Sequence, residues 1–165
     1  MKATVRPARS RDDYEACVRL QREVWGLSDL EVTSAIQLVA TVHAGGLLLL
    51  AEAGAEGVVG FCYAFAALRG GEAHLHSDML AVRPDWRGRG LGLALKWAQR
   101  EEALRRGLRL VTWTFDPMRA GNARLNLARL GATAGELLPD FYGTTSSGLH
   151  LGLPTDRLLA RWDLD

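Results

Sequence analysis

A glycine- and arginine-rich hexapeptide, RGRGLG at residues 87–92, directly precedes a segment whose apolar residues recur with helical spacing. The first amides of a helix have no partners within the helix, so they present partial positive charge to an approaching anion. Glycine has no Cβ atom to block that approach, and Arg87 and Arg89 add charge-assisted hydrogen bonds. The hexapeptide therefore predicts a phosphate-binding turn at a helix start, and the alternative is a surface turn with solvated arginines.

Two common phosphate-binding motifs do not fit this hexapeptide. A P-loop would end in Gly-Lys followed by Ser or Thr, and the hexapeptide has no such ending. The dinucleotide fingerprint GxGxxG, counted from Gly88, requires glycine at position 93, which is Leu93. No acidic residue closes a strand about twenty residues further on, because positions 101 and 102 fall within the predicted helix.

Side chains that could transfer protons lie in the segment EAHLHSDMLAV at residues 72–82. Its composition predicts a strand, and alternation with period two places His74, His76 and Asp78 on one face. Histidine titrates near neutrality, whereas an aspartate needs apolar surroundings to act as a base at neutral pH. The alternative is that the histidines are partly exposed strand residues and that Asp78 belongs to a bulge or turn.

The elements that would position these residues follow from periodicity and from helix caps. Ser10 with Asp13 is typical of a capping box, and Asn122 is a plausible cap for a later short helix. The predicted order βααβββαβαββ indicates an α/β fold with a mixed sheet and helices on its faces. Strands are predicted at 2–7, 46–53, 58–68, 72–82, 108–116, 134–143 and 156–164. Helices are predicted from Ser10, from Thr33 or Ser34 to a point before Gly45 and Gly46, at 91–106 and at 121–131. The last strand would also pass as a helix.

Composition narrows the classes of protein. The 165 residues fit one domain spanning 1–165, and a net charge of +1 without a long basic run does not favour nucleic-acid binding. Cys17 and Cys62 are far apart, which disfavours a disulfide and indicates a reducing cytoplasm. No metal-ligand spacing is present, and the longest apolar run, at 47–51, is too short to cross a membrane.

The spacing Arg87-x-x-Gly90-x-Gly92, after a strand ending in LAV and a Pro-Asp-Trp turn, resembles the acyl-CoA motif of the GNAT acyltransferases. The order of elements along almost the whole chain is similar as well. The resemblance implies a central sheet that splays open and binds acetyl-CoA or another acyl-CoA as co-substrate. It implies that Asn122 contacts CoA and that backbone groups of Leu80, Ala81 and Val82 bind the pantetheine arm. It also implies that the CoA pyrophosphate is bound by the backbone amides of Gly88, Arg89, Gly90, Leu91 and Gly92.

The same resemblance implies catalytic roles. A base often projects from the strand before LAV, which makes Asp78 and His76 candidates, directly or through a water chain. The family's usual acid is a helix tyrosine four residues before a Gly-Phe pair, and that position holds Leu127, with Ala132 in place of the phenylalanine. Tyr142, in the segment DFYG, is the substitute we predict as the acid that protonates the leaving thiolate, and water is the alternative.

We therefore predict an N-acyltransferase in which a primary amine of a small molecule attacks the thioester directly in a ternary complex. A further similarity, of WTFDP, DFYG and GLPTDR, to a GNAT subgroup associated with N-acylamino-acid metabolism suggests an amino-acid acceptor and admits succinyl besides acetyl as the acyl group. Asp116, Asp156 and Arg157 could bind the acceptor's charges, although each also fits a turn or strand start. A non-catalytic acyl-CoA sensor and a structural subunit acting through dimerisation are the rival interpretations, and a homodimer is compatible with the enzyme.

Overall fold

The described part of the chain contains seven strands in one mixed sheet, with the order β1-β2-β3-β4-β5-β7-β6. The computed structural model describes residues 2–147 and 154–164. Neighbouring strands are antiparallel except β4 and β5, which are parallel. The strands are β1 Thr4–Pro7, β2 Leu47–Glu52, β3 Val58–Arg69, β4 Glu72–Val82, β5 Leu110–Phe115, β6 Thr133–Leu138 and β7 Arg157–Asp163. This architecture confirms the predicted fold class.

Helices cover both faces of the sheet. They are α1 Arg11–Trp25, α2 Ala35–His43, α3 Leu91–Arg105 and the short α4 Ala120–Ala123, which continues as a π-helical turn over Arg124–Arg129. On one face α1 and α2 bury Cys17, Leu20 and Leu38 with Phe61 of β3. On the other face α3 packs on a core that includes Leu95, Val111 and Trp162. The sheet therefore separates two apolar layers, and the last strand is a strand rather than a helix.

The predicted capping box at the start of α1 is present. The Asp13 N–H donates to Ser10 Oγ at 3.3 Å, and the Ser10 N–H donates to Asp13 Oδ2 at 3.2 Å. Arg6 of β1 forms a bidentate ion pair with Asp13, at 2.8 and 2.9 Å, and also contacts Glu52 of β2. The cap thus fastens α1 to the first two strands.

The expectation that His74, His76 and Asp78 share one face through regular alternation is wrong at Asp78. In the pairing of β4 with β3, Ser77 lies opposite Ala64 and Met79 opposite Tyr63, so Asp78 is the extra residue of a β-bulge. A bulge inserts one residue and interrupts the period-two pattern. Asp78 is therefore presented separately from the two histidines.

Strands β4 and β5 separate soon after they meet. They pair only at Leu75 with Val111 and at His76 with Thr112. Beyond these pairs the β4 segment from Ser77 to Val82 has its β5-facing edge open, and a cleft begins there. This separation positions the functional site described below.

The helix after β5 begins earlier and winds differently than the sequence predicted. It starts at Ala120, and its N-cap is Arg119 without a side-chain cap, so Asn122 lies inside the first turn and is not the cap. The following π-helical turn changes which residues face inward: Leu127 is 43% exposed, whereas Asn126 is only 6% exposed. The position equivalent to the family's tyrosine therefore faces solvent.

Candidate active site

A cleft of about 520 Å³ opens where β4 and β5 separate. Residues of β4, β5, α3 and the helix after β5 line one part of it, and the α1–α2 connection with the segment after β6 lines the other. Of the residues singled out from the sequence, the cleft brings together Asp78, Leu80, Asp116, Asn122, Tyr142 and Arg157. His76 and His74 line a second cavity of about 810 Å³ instead, on the exposed part of the sheet.

The amide loop, residues 87–92, is open at the start of α3. Gly88 and Gly90 have left-handed backbones, with φ of +74° and +78°, and a Cβ atom at either position would have no heavy atom within 4 Å. The cap residue Gly90 makes no side-chain cap, and within the described residues the backbone N–H groups of positions 88–93 donate no hydrogen bond. Unpaired amides that converge at a helix start favour an anion. The space and the donors both fit a phosphate group.

The two arginines of the amide loop are held against the protein. The Arg87 Nε–H donates to the Val82 carbonyl oxygen at 3.1 Å, and an Arg89 Nη2–H donates to the Asp85 carbonyl oxygen at 3.1 Å. The Arg89 guanidinium also stacks over the Trp86 ring at 4.5 Å. Both side chains remain exposed, so they add positive charge beside the loop without filling it.

The open edge of β4 leads from the amide loop to the strand separation. Cys62, Phe61 and Gly60 of β3 pair with Leu80, Ala81 and Val82 along the other edge. An extended ligand on the open edge could thus be bound as an additional strand.

Asp78 presents its carboxylate to the cleft from the bulge. Asp78 is accessible to solvent in the open cleft, but the many protein atoms packed around it disfavour the charged form and raise the pKa of Asp78 above its ordinary value. Tyr63 lies near enough for the Asp78 charge to raise the pKa of the tyrosine as well, although burial of the phenol is the larger cause. A carboxylate with a raised pKa is suited to accept a proton near neutral pH.

His76 differs from Asp78 in that its pKa is lowered and it lines the other cavity. Its Nδ1 lies 2.9 Å from Thr112 Oγ1, and its ring packs against Phe65 at 5.1 Å. Burial, together with the nearby charges of His74 and Lys96, lowers the pKa of His76 to about 4. The imidazole is therefore neutral at physiological pH and lines a cavity other than the one that holds Asp78.

Tyr142 stands at the boundary of the two cavities. Its hydroxyl is 3.0 Å from Thr114 Oγ1, and Thr114 lines both cavities. The side chain is half exposed, and the guanidinium of Arg157 lies 5.2 Å from its ring centroid. Arg157 itself is 8% exposed, so a buried cation borders this part of the cleft.

The other predicted charged residues have local partners. Asp116 accepts a hydrogen bond from the Met118 N–H at 2.8 Å and pairs with Arg119 at 3.5 Å, which is the turn role expected of it. Asp156 accepts from the Asp140 N–H at 2.9 Å. Asn122 is exposed on the cleft wall.

Sequence reasoning missed several polar residues that the fold brings to the cleft, among them Lys96 and Asn126. Lys96 of α3 is 2% exposed, and Asn126 of the π-helical turn is almost as deeply buried. Polar residues such as Lys96 and Gln99 give no hydrophobic signal in the sequence, and only the packing of α3 on the sheet buries them together with Leu95 and Ala103. Asn126 gives no signal either, because a π-helical turn has no clear sequence pattern.

Two negative findings apply to the described residues. No group of three or more His, Cys, Asp or Glu side chains there is arranged to hold a metal ion. Within residues 2–147 and 154–164, no helix combines the length and apolar character that a membrane crossing requires.

A splayed mixed sheet with an open amide loop at its third helix is typical of acyl-CoA-dependent N-acyltransferases, and the sequence comparison agrees. The family description "Acetyltransferase (GNAT) family" matches residues 11–132 of the chain. The chain therefore belongs to the GNAT acetyltransferase family, and it is an enzyme of the acyl-CoA-dependent N-acyltransferase type. No curated protein is significantly similar to it in sequence.

Solved structures agree on the fold. A GNAT-family protein from Desulfovibrio desulfuricans superposes with a TM-score of 0.77 at 19% identity, with 99% of each chain covered. The ribosomal-protein-S18-alanine N-acetyltransferase of Escherichia coli gives 0.73 at 18% identity, covering 99% of this chain and 94% of its own. A phosphinothricin acetyltransferase from Sinorhizobium meliloti, in complex with acetyl-CoA, gives 0.73 at 19% identity, covering 99% and 89%. Likeness at these identities concerns the fold alone.

Proposed function

We propose that the protein transfers an acyl group from acyl-CoA to the primary amine of a small molecule, with an α-amino acid as the acceptor. Acetyl is the first candidate for the acyl group and succinyl the second. The observation that carries the proposal is the arrangement of β4 and α3: the open amide loop lies at the start of α3, and the free edge of β4 runs from the turn before this loop to Asp78, which lines the cleft.

The amide loop binds the pyrophosphate of CoA in this proposal. The backbone N–H groups of residues 88–92 donate to the phosphate oxygens, and Arg87 and Arg89 contribute charge. The pantetheine arm then runs along Leu80, Ala81 and Val82 toward the strand separation, with Asn122 on the opposite wall. This path brings the thioester close to Asp78, which lies two residues beyond Leu80 on the same strand.

Asp78 acts as the base. The acceptor enters as an ammonium, and Asp78 takes one proton so that the neutral amine can attack the thioester carbonyl. The C–S bond breaks as the amide forms, the second proton leaves the nitrogen, and the thiolate gains one proton. His76 takes no direct part in this proposal, because its ring contacts Thr112 and lines the other cavity. The role of Tyr142 as the acid stays a prediction from the sequence.

The charges at the acceptor end support a zwitterionic substrate. The buried guanidinium of Arg157 lies beside Tyr142 on the cleft wall and suits a carboxylate, while Asp78 suits the neighbouring ammonium. The connection between α1 and α2 closes this end of the cleft: Glu31 accepts hydrogen bonds from the Ser146 N–H at 2.9 and 3.0 Å. An acceptor of amino-acid size is the proposal that these walls favour.

The test is thiol release from acetyl-CoA and from succinyl-CoA with a panel of free amino acids, their methyl esters and short peptides. We expect release with at least one amino acid, a product heavier by one acyl group, and slower release with the matching methyl ester, which lacks the carboxylate. Release only with peptides would indicate a protein acceptor instead. CoA binding with no release from any amine would favour the sensor.

A further inference from the structure

A buried ammonium group faces the cleft beside the point where β4 and β5 separate. The side chain of Lys96 projects from α3 toward the sheet, and its Nζ donates to Ser77 Oγ at 3.1 Å and to Gln99 Oε1 at 2.7 Å. The Trp113 ring centroid lies 3.8 Å from Nζ, and that of Trp162 lies 5.9 Å away. Ser77, Lys96 and Trp113 all line the cleft.

This cation has only neutral hydrogen-bond partners. Within the described residues Lys96 forms no ion pair, and the titratable groups near enough to influence it are Cys62 of β3 and His76 of β4. Both are uncharged near neutral pH, because burial raises the pKa of the Cys62 thiol and lowers the pKa of His76. A buried charge without a counter-charge is costly, so a structural role alone gives a poor account of it.

The amide of Gln99 is arranged around this ammonium. Gln99 is fully buried, and its Oε1 accepts from Lys96, while its Nε2 has no hydrogen-bond partner. An unpaired buried N–H group is destabilising. The side chain keeps its oxygen toward Lys96 at that cost, and so Gln99 acts as a positioning residue for the ammonium.

Position 96 holds a lysine and not an arginine, which bears on whether this side chain can release a proton. The chain contains 18 arginines and only two lysines, Lys2 and Lys96. Arginine stays protonated in proteins, whereas a buried lysine can release its proton. Burial lowers the pKa of Lys96 to about 8, close to the value of about 8.5 expected for an alkyl thiol such as cysteine. A proton can therefore pass between such a pair with little energetic cost.

We propose that Lys96 is the acid of the reaction: its ammonium faces the thioester sulfur of acyl-CoA bound in the cleft and protonates the leaving thiolate. This rests on the proposed binding of acyl-CoA along the β4 edge, which ends next to Ser77 and Lys96. The amine nitrogen forms its bond to the carbonyl carbon, the C–S electron pair stays on sulfur, and sulfur takes the proton from Nζ. The neutral Lys96 regains a proton from the second N–H of the acceptor, through water, and Asp78 releases the first to solvent.

Lys96 accounts for features that Tyr142 does not. It belongs to α3, the helix whose start forms the amide loop, so both lie on the CoA side of the cleft. Tyr142 is half exposed, its hydroxyl is engaged with Thr114, and it borders the acceptor side. The helix position of the family's tyrosine holds the exposed Leu127, whereas Lys96 is a buried group of the cleft that can release a proton.

A spectroscopic titration of the wild-type protein tests this without measuring turnover. With ¹³C- and ¹⁵N-labelled lysine the protein gives only two sets of lysine side-chain signals, and Lys2→Met, a change at an exposed residue, assigns them. We expect the titration midpoint of Lys96 to be higher in the CoA complex than in the complex with desulfo-CoA, which lacks the sulfur, by roughly one pH unit or more. Equal midpoints in two saturated complexes would overturn the proposal for Lys96 and leave the proposed acyl transfer intact. If neither compound binds, the proposed binding of acyl-CoA in this cleft is wrong, and the role of Lys96 that depends on it is wrong as well.

Kinetics of Lys96→Met provide the second test, because methionine keeps the apolar stem. We expect CoA binding to persist and kcat to fall about 10²-fold. The wild-type decline of kcat/KM above about pH 8, where Lys96 loses its proton, should vanish in Lys96→Met. Lys2→Met replaces the exposed second lysine, so it is the matched control and should keep both the rate and this decline. If Tyr142→Phe loses them and Lys96→Met does not, the acid is Tyr142. Should Lys96→Met fail to fold, the titration of the wild-type protein still decides.

Discussion

The carboxylate of Asp78 illustrates how a single residue gains its chemistry from its surroundings. As the extra residue of a bulge, it avoids the regular alternation that would pair it with β3 and instead faces the cleft. The same surroundings penalise its charged form, which raises its pKa. The charged form of Asp78, which we propose as the base, is therefore present at some expense of stability.

Replacing Asp78 by asparagine tests both consequences. We expect kcat/KM to fall about 10²–10⁴-fold, and the rise of wild-type activity with pH, which follows deprotonation of Asp78, to disappear. Because the folded-state pKa is raised, the native protein binds more protons than the unfolded one above pH 3.8, so the wild type loses stability as the pH rises through that range. Asp78→Asn should therefore be at least as stable as the wild type at neutral pH, measured by urea denaturation.

Asp163→Asn is the matched control, since that carboxylate is exposed and pairs with Arg161 away from the cleft. It should leave the pH profile unchanged. An Asp78→Asn protein with the wild-type rate and the wild-type pH profile would show that another group is the base.

At the scale of elements, α3 combines two roles. Its first residues leave amides open for an anion, and one turn further on its buried stripe carries Lys96 and Gln99. A helix is rigid over this distance, so the loop and the ammonium keep a fixed separation. Strand β4 supplies the complementary edge, with Leu80–Val82 unpaired on the side of β5.

The amide loop can be tested with a pair of glycine substitutions at the two ends of α3. Gly90 and Gly107 have nearly equal φ, +78° and +77°, and a Cβ atom at either would meet nothing within 4 Å. Glutamate at either position therefore introduces similar backbone strain, but only Gly90→Glu brings a carboxylate to the proposed phosphate site.

We expect CoA at about 100 times its Kd to stabilise the wild type and Gly107→Glu by roughly 2.7 kcal/mol, and Gly90→Glu hardly at all. Thermal unfolding with and without CoA measures this difference. Equal stabilisation of the two variants would place the pyrophosphate elsewhere.

At the scale of the whole molecule, the cleft exists because the β1–β4 half of the sheet separates from the β5–β7 half, while an apolar layer packs on each face of the sheet. The first half is fastened by the ion-paired group of Arg6, Asp13 and Glu52, which joins β1, α1 and β2. The Arg6 guanidinium and two backbone N–H groups hold the pKa of Asp13 well below its usual range.

Asp13→Asn should therefore lower the free energy of unfolding at neutral pH by about 1–2 kcal/mol, because it removes the ion pair and weakens the cap. Because the pKa of Asp13 is lowered in the folded state, the ionised side chain contributes its full stabilisation above the ordinary pKa of 3.8. This stabilisation is lost as the pH falls below that value. The difference between wild type and variant should then shrink in acid, as measured by urea denaturation at pH 7 and at about pH 3. A difference independent of pH would mean that the cap geometry, and not the charge, carries the effect.

Local features of this fold could be read from the sequence because they depend on neighbouring residues. The caps at Ser10 and Ser34, the strand at 72–82 and the glycines of the amide loop are of this kind. The start of the helix after β5 was misjudged at Asn122, because the preceding turn around Asp116 begins the helix earlier.

The sequence by itself determined the order of elements, the open amides before α3 and the membership in an acyl-CoA-dependent family, since each rests on residues close together in the chain. Only the tertiary structure decided which side chains share the cleft. The bulge at Asp78 depends on pairing with β3, and the burial of Lys96 depends on tryptophans 113 and 162, which lie on other strands. Desolvation and proximity arise when distant segments pack together, so the reactivity of these groups cannot be read from their own neighbours in sequence.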